Sequence, residues 1–129
     1  MEHLKIENQI ATAILDQAFK IHTELGPGLL ESVYEKCLQY ELIEAGYDAR
    51  TQVPVPMNYK TIRFDAGFRI DLLVNHIVLV EIKSIENLAP VHFAQTLTYL
   101  RMKNLKLGLL INFNTKHLKD GIHRVVNNL

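Results

Sequence analysis

The sequence predicts an α/β fold in the order helix, helix, three-stranded antiparallel meander, crossover helix, strand and C-terminal helix. Before residue 45, apolar residues recur every three or four positions, which is the spacing of amphipathic helices. Two apolar runs, 67–74 and 77–83, flank a short turn and are typical of paired strands. Helical spacing over 90–103 then precedes another apolar run at 105–113, and this strand, helix, strand order implies a crossover connection.

The two N-terminal helices have clear boundaries in the sequence. The first covers residues 4–24, and the glycines and proline of the segment 25–28 end it. The second covers roughly 29–45, with Gly46 as its C-cap. The first helix carries one apolar stripe, formed by Ile6, Ile10, Ile14, Ala18 and Ile21. A single stripe indicates that this helix buries one face.

The middle and the end of the chain give weaker signals. Residues 52–57 alternate but include two prolines, which cannot donate to a β-ladder, so this segment is an edge strand if it is a strand at all. Residues 59–64 are either a short strand or a loop. Asn75 and His76 fall in the turn between the two clear strands. A last helix is predicted over about 115–128.

The composition indicates one globular domain spanning residues 1–129. An apolar fraction of 48% and a charged fraction of 22% exclude a disordered chain. Lys plus Arg and Asp plus Glu are 14 each, which argues against a protein that coats nucleic acid through bulk charge but leaves room for a local basic face. Cys37 is the one cysteine, so no internal disulfide forms. With no secretory signal and no apolar run long enough for a bilayer, we expect a soluble cytoplasmic protein without membrane contact.

Three charged residues interrupt the two most apolar strands. Glu81 and Lys83 are two apart in one predicted strand, so both side chains point to the same face, and Asp71 lies in the preceding strand. Burying charge is costly unless the charge is paired or binds an ion. Two acids and one base at the end of a sheet suit a hard divalent cation such as Mg²⁺, which prefers carboxylate, water and phosphate oxygens.

The strand register decides between this interpretation and a simpler one. A two-residue turn at Asn75 and His76 would pair Asp71 with Val80 and place Asp71 and Glu81 on opposite faces. A three-residue loop or a bulge would pair Asp71 with Glu81 and bring them together. The simpler alternative is a structural salt bridge between the strand-end lysine and one carboxylate.

The residues around this cluster resemble a known family. Asp71, Glu81 and Lys83 have the D…ExK spacing of the PD-(D/E)XK nuclease superfamily, with Ile70 in the place of the proline that gives the superfamily its first letter. The segment 28–34 reads G-x-x-E-x-x-Y, and four further motifs follow in the family's order: GFRIDLLV, VEIKS, AQTLTYL and GLLINFN. Together they resemble the GxxExxY proteins, a nuclease-like branch of that superfamily, over nearly the whole chain.

The resemblance implies a restriction-endonuclease-like core and a metal-dependent active site. Asp71 and Glu81 would bind Mg²⁺ or Mn²⁺, with the backbone carbonyl of Ile82 as a further ligand. Glu31, early in the second helix, would help to hold the metal or its water. Lys83 would orient or deprotonate the attacking water and offset the charge that develops on the phosphate.

Gln95 and Tyr99 are four residues apart on one face of the predicted crossover helix. They match a Q-x-x-x-Y motif that exonuclease-like branches of the superfamily place beside the active site. The alternative is that Tyr99 is a core aromatic residue and Gln95 a surface residue.

The function that the resemblance implies is a metal-dependent nuclease acting on DNA or RNA. The alternative, favoured by the small size and zero net charge, is a catalytically inactive module that keeps the nuclease fold and binds nucleic acid or regulates a partner. A homodimer through the first helix is a third hypothesis. The C-terminal third of the chain is rich in basic residues, which form either a phosphate-facing surface or an ordinary solvated face. These residues are Arg101, Lys103, Lys106, Lys116, Lys119 and Arg124.

Overall fold

The computed structural model describes residues 5–65 and 67–129. It contains three α-helices, α1 (Ile6–Leu25), α2 (Glu31–Glu44) and α3 (Pro90–Lys103), within these ranges. The strands are β1 (Ala49–Pro54), β2 (Met57–Tyr59), β3 (Ile62–Phe64), β4 (Arg69–Val74), β5 (Val78–Lys83), β6 (Leu107–Asn112) and β7 (Ile122–Val126). The first three predicted helices are confirmed within a few residues. Leu4, where the first was expected to begin, lies outside the described residues.

Five strands form one sheet in the order β1-β4-β5-β6-β7, and β2 and β3 form a separate hairpin. Strands β5 and β6 are parallel and the other neighbours in the sheet are antiparallel. The parallel pair is joined through α3, which confirms the predicted crossover. The result is the mixed α/β architecture that the sequence predicts.

The sheet is covered by helices on both faces, and each face has its own apolar core. Residues of α1 and α2, among them Ile14 and Tyr34, pack on Val80 and Ile82 of the central strand β5. On the other face, Tyr99 of α3 packs against Leu79. Because side chains alternate along a strand, the two cores tell which face each residue of β5 occupies.

The ends of α1 and α2 follow the sequence signals. Gly46 adopts a left-handed φ of 94°, and its N–H donates to the Ile43 carbonyl while the Tyr47 N–H donates to Leu42, which is a Schellman C-cap. Ile6, the first member of the predicted stripe, is half exposed, and the other four members are buried. None of the helices in the described ranges combines the length and the apolar character that a bilayer crossing requires.

The predicted C-terminal helix is wrong. Residues 118–121 form one 3-10 turn, and the chain then runs as β7 along the outer edge of β6. The physical reason lies in β6, whose six residues are all buried. A buried strand needs a neighbour on each side to pair its backbone N–H and C=O groups, and β5 supplies only one. The helix-like spacing of the sequence is overridden by this requirement.

The predicted strand at 52–57 is displaced. β1 begins at Ala49 and ends at Pro54, and it is an edge strand, as the prolines indicate. The segment 59–64 contains the end of β2 and the whole of β3. The antiparallel meander of the main sheet is therefore β1-β4-β5, with the small hairpin inserted between its first two strands.

Candidate active site

The turn between β4 and β5 sets the register of the two strands that carry the charged residues. Val74 pairs with Val78 and Leu72 with Val80, so the loop has three residues. Asn75 and His76 both have positive φ, 52° and 58°, in the left-handed region that Asn tolerates better than most residues. The same register, carried one position beyond the last ladder pair, sets Asp71 opposite Glu81. The three-residue loop is the one that the metal-site hypothesis required. The two acids were expected on one face, but Asp71 lines the α2-side cavity and Glu81 lies on the α3 side, so they meet at the junction of β4 and β5 from different faces.

The two strands separate just beyond this last pair. The N–H of Ile82 points toward β4 and donates to the Asp71 side chain, with 2.8 Å between the nitrogen and Oδ2. Because the N–H and C=O of one strand residue point to the same side, the Ile82 carbonyl also faces β4. A carboxylate and a backbone carbonyl are thus both directed into the fork between β4 and β5.

Glu81 enters the fork from the face covered by α3. Leu79, two residues earlier, packs against α3, and alternation places Glu81 on that same face. Its side chain is 5% exposed, and its Oε1 has no hydrogen-bond partner in the described part of the chain. Burial above all, and then the negative charge of Asp71, raise the pKa of Glu81 to about 10. The metal-free protein therefore holds Glu81 protonated at neutral pH.

Lys83 follows on the same face, at the end of β5. Its positive charge lowers the pKa of Glu81, but burial and Asp71 raise it more. In residues 5–65 and 67–129 Lys83 forms no direct ion pair. The structural salt bridge that the sequence offered as the simpler alternative is therefore not what holds this lysine.

On the α2 side of the fork, Asp71 lines a cavity of about 190 Å³. The cavity brings Glu31, the predicted helper acid, together with Asp71 and Ile82. Glu35 and Gln52 also line it, and the sequence analysis did not assign them to the site. Glu35 could have been found from its position one helical turn after Glu31, which puts both acids on one side of α2.

Gln52 links the α2 acids to the fork. Its Nε2 donates to Glu35 Oε1 at 2.7 Å and to Asp71 Oδ1 at 3.4 Å. Burial raises the pKa of Glu35 above its ordinary value, and the Gln52 hydrogen bond offsets part of this shift. One amide therefore orients two carboxylates at the same cavity.

The backbone is unusual where Gln52 and Asp71 face each other. Gln52 has φ 53°, a left-handed value inside a strand. Up to this position Ala49 and Leu72 pack on the α2 side, whereas beyond it Val53 and Ile70 pack on the α3 side. Left-handed φ at a non-glycine residue costs about 1–3 kcal/mol, and such residues cluster at functional sites. In β1 and β4, the inward side chains therefore switch from the α2 side of the sheet to the α3 side at Gln52 and Asp71, which both line the cavity.

A hydrogen-bonded loop fixes the position of Glu31 at the start of α2. The buried hydroxyl of Tyr34 donates to the Gly26 carbonyl at 2.6 Å and accepts from the Leu29 N–H at 3.1 Å. Ser84, directly after Lys83, donates to the Leu29 carbonyl at 2.5 Å. Tyr34 is also a packing residue, since its ring stacks on Phe113 in the core. The hydrogen bonds of Tyr34 and Ser84 meet at Leu29, so they attach the start of α2 to the end of β5.

The predicted pair on α3 lies beside Glu81. Gln95 Nε2 donates to the Tyr99 hydroxyl at 3.1 Å, and Tyr99 is 4% exposed. Burial, and after it the nearby Glu81 carboxylate, raise the pKa of Tyr99. Tyr99 is a core aromatic residue and Gln95 is exposed, as the alternative expected, but the two also border the buried acid.

The donors at the fork suit a hard cation that keeps several waters. Among the described residues no three His, Cys, Asp or Glu side chains are grouped closely enough to form a complete metal cage. Mg²⁺ is usually held by one or two carboxylates, with water and phosphate oxygens completing its shell. Asp71, the unpartnered Oε1 of Glu81 and the Ile82 carbonyl fit that requirement.

Comparison with known families gives one match. The family described as the PD-(D/E)XK nuclease superfamily matches residues 8–125, which is most of the chain and includes every candidate site residue. No curated protein and no solved structure matches the chain.

Proposed function

The chain belongs to the PD-(D/E)XK nuclease superfamily, and from that membership we propose that it is a nuclease that hydrolyses phosphodiester bonds in DNA or RNA with the help of Mg²⁺ or Mn²⁺. The observation that carries the proposal is the fork between β4 and β5. There a buried carboxyl with an unpartnered oxygen meets a second carboxylate and a backbone carbonyl. Burying a polar oxygen without a hydrogen-bond partner costs free energy, and a cation bound there would offset this cost.

We assign the cation to Asp71, Glu81 and the Ile82 carbonyl. When bound, the cation supplies Lewis acidity at the phosphoryl oxygens and at a bound water. Glu31 and Glu35 reach the same cavity from α2 and accept hydrogen bonds from waters around the cation. Gln52 keeps Asp71 and Glu35 oriented through its two hydrogen bonds.

Lys83 is assigned to the water that attacks phosphorus. Its ammonium group lies at the end of β5 without an ion pair in the described part of the chain. It is therefore free to orient that water and to offset the negative charge that develops on the phosphoryl group. In the reaction the water oxygen bonds to phosphorus, the bond to the leaving sugar oxygen breaks, and that oxygen takes up a proton.

The tyrosine and glutamine of α3 are assigned to the wall of the site. Tyr99 is buried next to Glu81 on the α3 side of the sheet. Exposed Gln95 donates a hydrogen bond to the Tyr99 hydroxyl from the solvent side. We propose that this pair positions the substrate strand next to the fork.

Within the superfamily, we place the chain in the GxxExxY branch. The Tyr34 and Ser84 hydrogen bonds support this assignment, because they hold the loop before α2 and so explain why a tyrosine follows Glu31 at this spacing. A homodimer through α1 stays a prediction. Its support is the exposed apolar residues of that helix, Ile6, Phe19 and Leu25.

The test is a cleavage assay on labelled single-stranded, duplex and branched DNA and RNA with Mg²⁺ or Mn²⁺. We expect the wild-type protein to cut at least one substrate and EDTA to stop the reaction. Lys83→Ala should lower the rate by about 100-fold to 1000-fold, the usual cost of losing one group that stabilises developing charge. Lys36→Ala, an exposed lysine on α2, is the matched control and should cut at the wild-type rate.

Two results would count against the proposal. Cleavage at the wild-type rate by purified Lys83→Ala protein would remove Lys83 from the reaction. Binding of these substrates without cleavage of any of them would favour the inactive, nucleic-acid-binding module.

A further inference from the structure

A larger cavity, of about 500 Å³, lies next to the loop that joins α1 to α2. Gly26 and Pro27 of that loop line the larger cavity, and Glu31 and Ser32, at the start of the helix that follows the loop, line the smaller, acidic cavity. The segment that follows β6 forms the opposite wall. Since β5 and β6 are parallel, this segment leaves the sheet at the same end at which Lys83 completes β5. The larger cavity and the fork therefore open at one end of the sheet.

The titratable residues that line the larger cavity are all basic. Lys116, His117 and Lys119 line it from one side and His22 from the other, and no Asp or Glu is among its lining residues. Lys116 and Lys119 are exposed, and neither forms an ion pair with any residue that the structure describes. Two unneutralised lysines at one cavity favour an anion.

The wall that carries these lysines is held in place by several contacts. Leu118, between them, is 3% exposed and packs in the α1-side core. Gly121 lies so close to the end of β6 that an added β-carbon would be 2.1 Å from the Asn112 carbonyl oxygen. Thr115 donates from Oγ1 to that same carbonyl. The lysine backbone is thus fixed before any ligand arrives, which lowers the entropic cost of binding.

His22, on the α1 side of the cavity, bonds to this wall and is not part of the anion site. Its Nε2 lies 2.8 Å from the Thr115 carbonyl oxygen. A carbonyl only accepts, so Nε2 carries the proton and is already used. The cationic donors left at the cavity are the two lysine ammonium groups, with the exposed His117 between them in the sequence.

We propose that this cavity binds a phosphate group of the nucleic-acid backbone, a short distance along the strand from the phosphate that is cut, through Lys116 and Lys119. The inference rests on the proposed function. The charge distribution supports it, because the α2 cavity beside the fork carries three acids, Glu31, Glu35 and Asp71, which repel a polyanion. A substrate strand therefore needs cations beside this acidic region, and the larger cavity supplies them at the same end of the sheet.

The four lysines of the C-terminal third form two pairs at opposite ends of the sheet. Lys103 and Lys106 lie where α3 ends and β6 is about to begin, at the opposite end of the parallel strand pair. They are exposed like Lys116 and Lys119 and have the same charge. They therefore provide a matched control pair that should not contact the strand.

The experiment measures binding apart from cleavage. A fluorescein-labelled DNA duplex and its unpaired strand are titrated in EDTA, and the anisotropy is followed at several salt concentrations. In Lys116→Ala/Lys119→Ala protein we expect about tenfold weaker binding. The slope of log K against log salt should fall by about 1.8 for the duplex, if each lysine neutralises one phosphate. Lys103→Ala/Lys106→Ala and Lys116→Arg/Lys119→Arg should retain the wild-type slope.

The outcomes separate this inference from the proposed function. Unchanged affinity and slope in the alanine pair would overturn the inference, as would an equal loss in the control pair, and wild-type cleavage would still support the nuclease. A smaller slope of log K against log salt in the alanine pair, with no cleavage by any of the proteins, would support the inference and overturn the proposed nuclease activity. If the lysines affect binding of inorganic phosphate, measured by thermal shift, but not of either oligonucleotide, the assignment to a nucleic-acid backbone is wrong.

Discussion

Replacing Glu81 with glutamine is expected to lower the rate of phosphodiester hydrolysis by at least about 1000-fold. The substitution keeps the size of the side chain but removes the negative charge that a divalent cation needs from it. A cation contributes several kcal/mol of transition-state stabilisation, and each 1.36 kcal/mol is a factor of ten in rate. The measurement is the initial rate of cleavage on the best substrate of the wild-type protein, at saturating Mg²⁺.

Glu86→Gln is the matched control for this variant. Glu86 is an exposed acid shortly after the end of β5, so its loss tests the effect of one charge near the site without touching the fork. It should cut at the wild-type rate. Cleavage in Glu81→Gln within tenfold of the Glu86→Gln rate would remove Glu81 from the reaction.

The stability of the metal-free protein is expected to fall as the pH rises from about 5 to about 9. The folded state holds Glu81 with a pKa of about 10, against the ordinary value of 4.5 in the unfolded chain. Between these two values the folded state binds a proton that the unfolded state releases. Glu81 therefore contributes its full stabilisation below the unfolded pKa and loses it progressively up to the folded pKa. The slope from this one group is at most about 1.4 kcal/mol per pH unit.

Urea unfolding in EDTA at several pH values measures this slope. Glu81→Gln should have a flatter profile than the wild type, and at pH 9 it should be the more stable protein, because the amide is neutral at every pH. Glu35→Gln, at a half-buried acid whose pKa is also raised, should change the profile less. Parallel profiles for the wild type and Glu81→Gln would mean that burial does not hold the proton on Glu81.

Local periodicity in the sequence was sufficient to predict the two strands of the candidate site. The apolar runs located β4 and β5, and the metal-site hypothesis required a three-residue loop or a bulge between them, whereas a two-residue turn stayed open. The loop itself depends on two left-handed residues, Asn75 and His76. Asn is a known signal for this conformation but does not by itself distinguish a two-residue from a three-residue loop.

The remaining features of the site depend on contacts between distant segments. The phase change at Gln52 and Asp71 arises from a left-handed residue opposite a strand fork, and Gln is not a signal for left-handed φ. Glu35 is linked to Asp71 through Gln52 of β1, whose amide donates to both carboxylates. The error at the C-terminus has the same origin. The segment 122–126 becomes a strand because the buried strand β6 needs a second partner. The spacing of apolar residues within 122–126 does not reveal this requirement.

The central claim is that the fork between β4 and β5 holds one divalent cation, and calorimetric titration with Mn²⁺ tests it most directly. At pH 7, in two buffers of different ionisation enthalpy, we expect one Mn²⁺ to bind per chain and about one proton to be released, because the cation displaces the proton that Glu81 carries. Glu81→Gln should bind far more weakly and release no proton, and Glu86→Gln should behave as the wild type. No binding to the wild type at millimolar Mn²⁺, or binding that Glu81→Gln leaves unchanged, would contradict the claim.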